Sequence, residues 1–256
     1  MTAARPGKRP GVALALALLG AAPAAWADQI CLEAPYADGT GEIGALAKRT
    51  VQALAAYPSL SQALQDQAPR LCLDDTLVEE QAYFEPKTRR IVVRAGLDPD
   101  FQLAVIVHEV RHLEQFGRDV CPTIRMTLTD YVRTRQALEA DAAAIGLYIA
   151  WDLRAGGEAG PWNTLLTWPT HDDLAARFAA EMAASGDVVK ATSATYAAWF
   201  DDPERREIYA FVSCVNYLDA LDREKLQPGQ SEVPDDFAET LCRMPDGRPY
   251  DCFLPP

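Results

Sequence analysis

Histidine is scarce in this chain, with three in 256 residues, so chemistry needing several imidazoles must draw on His108, His112 and His171. Six cysteines are present but no Cys-x-x-Cys pair, which argues against a thiolate zinc cluster. Beyond residue 27 no apolar run is long enough to cross a bilayer. Nor is any block of like charge long enough to act as an interaction tail, and no repeat period stands out.

The one extended apolar stretch lies near the start. Arg5, Lys8 and Arg9 precede an Ala/Leu-rich run from Val12 to Ala22, and Ala25-Trp26-Ala27 follows. A basic start, a short apolar centre and a small-x-small site make a cleavable secretory signal, too short to span comfortably. The mature chain is therefore expected to begin near Asp28 and to be secreted or periplasmic. Residues 28–256 are read as a single domain with a motif core over about 80–153. All six cysteines (Cys31, Cys72, Cys121, Cys214, Cys242 and Cys252) fall in this part. An even count in an oxidising compartment predicts three disulfides, and Cys242 and Cys252 flank a Pro/Gly-rich tail that they could close as a loop. The formal charge is −13; the signal carries three cations and no anion, which leaves −16 for the mature chain. Such a surface repels phosphate, which excludes nucleic acid and anionic membranes as partners.

Against this background five residues carry the chemistry: His108-Glu109-Val110-Arg111-His112. Positions four apart share one helical face, so both imidazoles can address one ion while Glu109 reaches a water beside it. The flanking sequence supports a helix. Asp98 suits the N-cap and Pro99 the first turn, Leu103 to Val107 is apolar all round, and Gly117 is a natural stop. Before it, residues 80–95 read as a β-hairpin turning at Glu85-Pro86-Lys87-Thr88. Ile43, Leu46, Val51 and Leu54 predict an early helix. A second long helix carries Leu138 to Ala142 and runs to about Leu153, with a break at Gly156-Gly157. Further helices are expected from about Thr170, Thr192 and Asp202-Pro203. The last shows Ile208, Phe211, Val212, Val215 and Leu218 on one side, which reads as a core-facing stripe.

Two histidines do not complete a catalytic zinc site; a third protein ligand is required, with the fourth position open to water. Glu139 and Asp141 are the leading candidates. They lie about 200° apart around a helix, so only one can face the ion. Glu139 shares its side with Ala142, Ala143 and Gly146, small residues that let two helices approach, and is preferred. Asp141, and His171 in a Thr-x-x-Asp helix start, are the alternatives. Arg111 reads as an exposed helix arginine, the alternative being a pair with a nearby carboxylate that orients a ligand, and Glu114 and Gln115 receive no role.

The run His108-Glu-x-x-His112 followed by Glu139-Ala140-Asp141-Ala142 resembles the two-His, one-Glu zinc metallopeptidases called gluzincins. It is also similar to uncharacterised secreted bacterial families of metallopeptidase type. The similarity covers residues 80–150, and Glu139 lies further from His112 than in thermolysin-like members. The resemblance implies a predominantly helical α+β fold, stapled by disulfides, with a zincin-like core in which a β-strand lies above the motif helix. Peptide substrates would add to the open edge of that strand. One Zn²⁺ on His108, His112 and Glu139, with Glu109 as general base, would hydrolyse peptide or protein substrates. Tyr131, Tyr148, Tyr196, Tyr209 or His171 would steady the oxyanion. The competing expectations are a zinc-binding protein without turnover and a disulfide-stapled helical binding protein of the periplasm.

Overall fold

In the computed structural model, residues 29–78 and 80–256 are described. The proposed signal segment and the start of the mature chain near Asp28 lie outside them. Helix makes up 57% of the described residues, and the only sheet among them has four strands, so the α+β, helix-dominated expectation holds.

β1 (Ile30–Leu32), α1 (Gly41–Leu54) and α2 (Pro58–Gln67) lead into β2 (Arg70–Asp74). The expected hairpin follows as β3 (Ala82–Glu85) and β4 (Arg90–Arg94), turning over residues 86–89, one residue later than the sequence predicts. The sheet order is β1-β2-β4-β3, with β2 and β4 parallel and both outer pairs antiparallel. β3 is therefore an edge strand. β1 and β2, which the sequence reading missed, are joined by the Cys31–Cys72 disulfide at directly opposed positions.

The motif helix α3 (Pro99–Gly117) starts as expected: the Asp98 side chain accepts the Asp100 N–H, and Pro99 needs no partner. It ends one turn past His112, where Asp119 takes a positive φ of 57°. Leu103 to Val107 are all buried, because the β3–β4 hairpin, α1, α2 and the following helices surround this segment. α4 (Leu128–Ala155) is capped by Thr127 and crosses α3 at the core. Around it pack α5 (Gly160–Leu165), α6 (Asp172–Ser185), α7 (Val188–Trp199) and α8 (Pro203–Glu224), and α9 (Phe237–Leu241) precedes the C-terminal tail.

Several expectations fail. Two disulfides form rather than three: Cys242–Cys252 closes the tail loop as expected, while Cys121 and Cys214 are unpaired. α7 begins at Val188, not Thr192, because Asp187 caps the Val189 and Lys190 N–H groups. The α8 stripe does not face the core. Phe211 is 70% exposed and Ile208 54%, with Val212, Val215 and Leu218 exposed beside them. The inward side of α8 instead holds Arg205, Ser213, Tyr217 and Leu221. Their polar atoms are matched by groups distant in sequence, such as Met126 O for the Tyr217 hydroxyl, so hydrophobic periodicity pointed to the wrong face.

Candidate metal centre

Two helices build the site. α3 presents His108 and His112 one turn apart, and α4 brings Glu139 to them. The two Nε2 atoms lie 3.0 Å apart, and Glu139 Oε2 lies 3.4 Å from His108 Nε2 and 3.3 Å from His112 Nε2. An ion bonded tetrahedrally at about 2.0–2.1 Å holds its ligand atoms about 3.3 Å from one another. The three donors therefore describe one face of such a tetrahedron, and the donor set of two imidazoles and one carboxylate fits a catalytic divalent ion. Asp141 and His171 do not join this group.

Two of the three donors are oriented by a neighbour outside the group. Glu139 is 6% exposed, and its other oxygen accepts from Arg135 Nη2 at 3.1 Å, which leaves Oε2 for the centre. His112 is fixed through Gln115. The Gln115 amide nitrogen donates to Leu138 O at 3.0 Å and to Asp141 Oδ2 at 2.7 Å. Its carbonyl oxygen is then the acceptor for His112 Nδ1–H at 2.7 Å, and the lone pair of a neutral ring is left on Nε2.

Electrostatics follow from this crowding. Burial disfavours the His112 cation, but the adjacent Glu139 carboxylate outweighs it and lifts the pKa to about 9. Burial acts against Glu139 as an anion, yet His112 and His108, with Arg135, hold its pKa well below the ordinary value. Without an ion the pair retains a proton that a cation must displace. Glu109 is also buried. Burial raises its pKa, while His112, His108 and a backbone hydrogen bond from Phe84 on β3 pull it down. That contact brings the edge strand to Glu109.

Asp141, the rival ligand, serves another purpose. Arg111 is 0% exposed, which corrects its reading as a surface residue. Its Nε and Nη2 donate to the two Asp141 oxygens at 2.6 and 2.8 Å, Nη1 donates to Glu114, and Nη2 reaches Leu241 O and Arg243 O. The Tyr250 hydroxyl donates to Asp141 as well. Glu114 and Gln115, given no role from sequence, are thus both buried parts of the support. Arg135 was legible as a cation one turn before Glu139; the tail partners of Arg111, Leu241 and Arg243, lie more than a hundred residues away and were not. Gly146 does not bring the helices together, since nothing lies within 4 Å of where its Cβ would be.

His171 stands beside the centre. Its ring lies 6.4 Å from that of His108 and stacks on Trp168 at 4.0 Å. Its Nδ1 pairs with the Thr170 hydroxyl at 2.9 Å. Burial, with the nearby charges of His108 and Arg205, holds its pKa down to about 3, so the ring is neutral. Among the tyrosines, Tyr196 is committed to Phe253 O, Tyr148 packs against Tyr57, and Tyr131 against Tyr217. Tyr209 differs: burial and then the charges of Glu139 and Glu109 raise its pKa. It packs on Trp199 in the same way, and its hydroxyl, like those of Tyr131 and Tyr148, has no hydrogen-bond partner among the described residues.

A model of the family described as "Putative metallopeptidase family (DUF6782)" matches residues 22–252. The chain belongs to this family. Membership spans nearly the whole chain rather than the motif alone, so the sheet, the long helices and the C-terminal tail all fall inside the DUF6782 match. No curated protein and no solved structure matches the chain.

Proposed function

We propose that this DUF6782 protein is a zinc-dependent peptidase of gluzincin type, working outside the cytoplasm on peptide or protein substrates. The observation that carries the reading is the convergence of His108 Nε2, His112 Nε2 and Glu139 Oε2 at separations of 3.0–3.4 Å. A metallopeptidase family description supports the activity and the metal. Zinc itself follows from the mixed nitrogen and oxygen donors with a position left open. The Cys31–Cys72 and Cys242–Cys252 disulfides and the basic, then apolar, first 27 residues support export.

When bound, zinc polarises the scissile carbonyl and makes a water acidic enough to attack near neutral pH. The remaining work belongs to side chains. Glu109 takes the proton of the attacking water and passes it to the departing amine; its pKa, raised by burial, suits both transfers. Tyr209, with an uncommitted hydroxyl close to the charges of Glu109 and Glu139, donates to the oxyanion that develops. The substrate backbone pairs with the open side of β3, whose Phe84 amide already reaches Glu109.

Metal analysis of the purified protein and cleavage of a broad peptide library by wild type and Glu109→Gln test this. About one zinc per chain in both, with turnover falling 10²–10⁴-fold in the variant, is the expected result. Zinc bound by both with no cleavage by either would assign the centre to metal holding alone.

A further inference from the structure

A row of rings leads away from the centre. His171 lies next to His108, Trp168 stacks on His171 with an interplanar angle of 4°, and Phe101 meets Trp168 edge-on at 4.9 Å. Phe101 stands seven residues before His108, so both lie on one face of α3. None of the three outer rings is sealed in the core; each is partly exposed. The turn that carries Trp168 and His171 is also rigid. The His171 and Asp172 N–H groups both donate to Trp168 O, at 2.8 and 2.9 Å. Behind the turn the buried Arg205 guanidinium donates to Thr170 O at 3.2 Å and Asp173 Oδ1 at 2.7 Å.

We propose that Phe101, Trp168 and His171 form the subsite for an aromatic or large aliphatic side chain next to the bond that is cleaved. The inference rests on the peptidase reading and names its substrate class. Three arguments support it. The row starts within contact range of a metal-facing imidazole, which is where a residue flanking the scissile bond must lie. Its surface is made of ring faces and edges, with Trp168 stacked on His171 and Phe101 set edge-on to Trp168, so it favours apolar and aromatic partners over ions. Its geometry is held before any ligand arrives, so little ordering remains to be done on binding.

The test has two arms. In the first, the zinc-loaded protein cleaves a peptide library and products are read by mass spectrometry. Phe, Tyr, Leu and Met should be enriched about tenfold or more over Ala on one side of the cleaved bond. Trp168→Ala should lower kcat/KM for the Phe peptide about 10–100-fold and for its Ala counterpart less than about threefold. In the second, Glu109→Gln binds the same two peptides in a calorimeter, and adding Trp168→Ala should abolish the preference. Phe101→Ala, which leaves the Trp168–His171 stack in place, should narrow it and serves if Trp168→Ala fails to fold. Cleavage without side-chain preference, a preference for charged residues, or unchanged preference in both variants would overturn the subsite. Failure of wild type to cleave any peptide would instead defeat the peptidase reading, and the calorimetric arm would still decide the subsite.

Discussion

α3 and α4 meet in two charged clusters, only residues apart, that behave in opposite ways. On one side His108, His112 and Glu139 bring three donor atoms to within 3.4 Å of one another. On the other, Arg111 and Asp141 face each other with Glu114, Gln115, Tyr250 and two backbone carbonyls, and every charge is answered. Asp141 lies two residues from Glu139, and Arg111 lies next in sequence to His112. On the proposed reading the contrast separates ligand from support: Glu139 is the carboxylate whose counter-charge the fold does not supply in full. Gln115 bridges the two clusters, so the closed one sets the geometry of the open one.

The closed cluster should be the more fragile. Arg111→Met leaves Asp141 and Glu114 buried without their cation and should cost about 3–5 kcal/mol in denaturant unfolding. Arg111→Met combined with Asp141→Leu should recover part of that loss. Stability within about 1 kcal/mol of wild type in the single variant would show that the ionic arrangement is dispensable. Next in size is the bridge. Gln115→Leu should fold, yet bind zinc about 10–100-fold more weakly in a chelator competition, because the His112 tautomer is no longer fixed. Unchanged affinity would separate the two clusters energetically.

Acidity sharpens the comparison further. In the metal-free protein the raised pKa of His112, about 9 against 6.5, contributes stability that is complete below about 6.5 and disappears as pH rises through about 9. The lowered pKa of Glu139 contributes above about 4.5 and is lost on acidification. The metal-free centre should therefore add most to Tm between about pH 4.5 and 6.5, whereas zinc affinity should climb toward pH 9 as the proton leaves. Melting curves with and without chelator across pH 4–9 would check both slopes, and parallel curves would sink the coupling. The smallest effect is expected far away: Phe211→Ser on the exposed side of α8 should change stability by no more than about 0.5 kcal/mol.

The centre was more legible in the sequence than its support. His108, Glu109, His112 and Glu139 could be picked out because a fixed spacing on helices encodes which side chains share a face. The β3–β4 hairpin and the start of α3 were readable for the same reason, since turn and cap chemistry is local. What could not be read depends on contacts between distant segments. Arg111 looks like a surface residue until residues 241–250 are known to fold over it. β1 and β2 are short strands whose partners lie about twenty to forty residues away. The α8 stripe shows the converse error. Its apolar spacing is real, but the opposite side of the helix carries the residues that α4 and the loop after α3 accommodate.

That tail has a consequence for where the fold is vulnerable. Arg111 donates to the carbonyls of Leu241 and Arg243, and the Tyr250 hydroxyl closes over Asp141, so residues 241–250 complete the polar shell around an ion pair that α3 and α4 make between them. Cutting the chain ahead of Leu241 should therefore loosen the packing of α3 on α4, an injury in one segment felt far away in sequence.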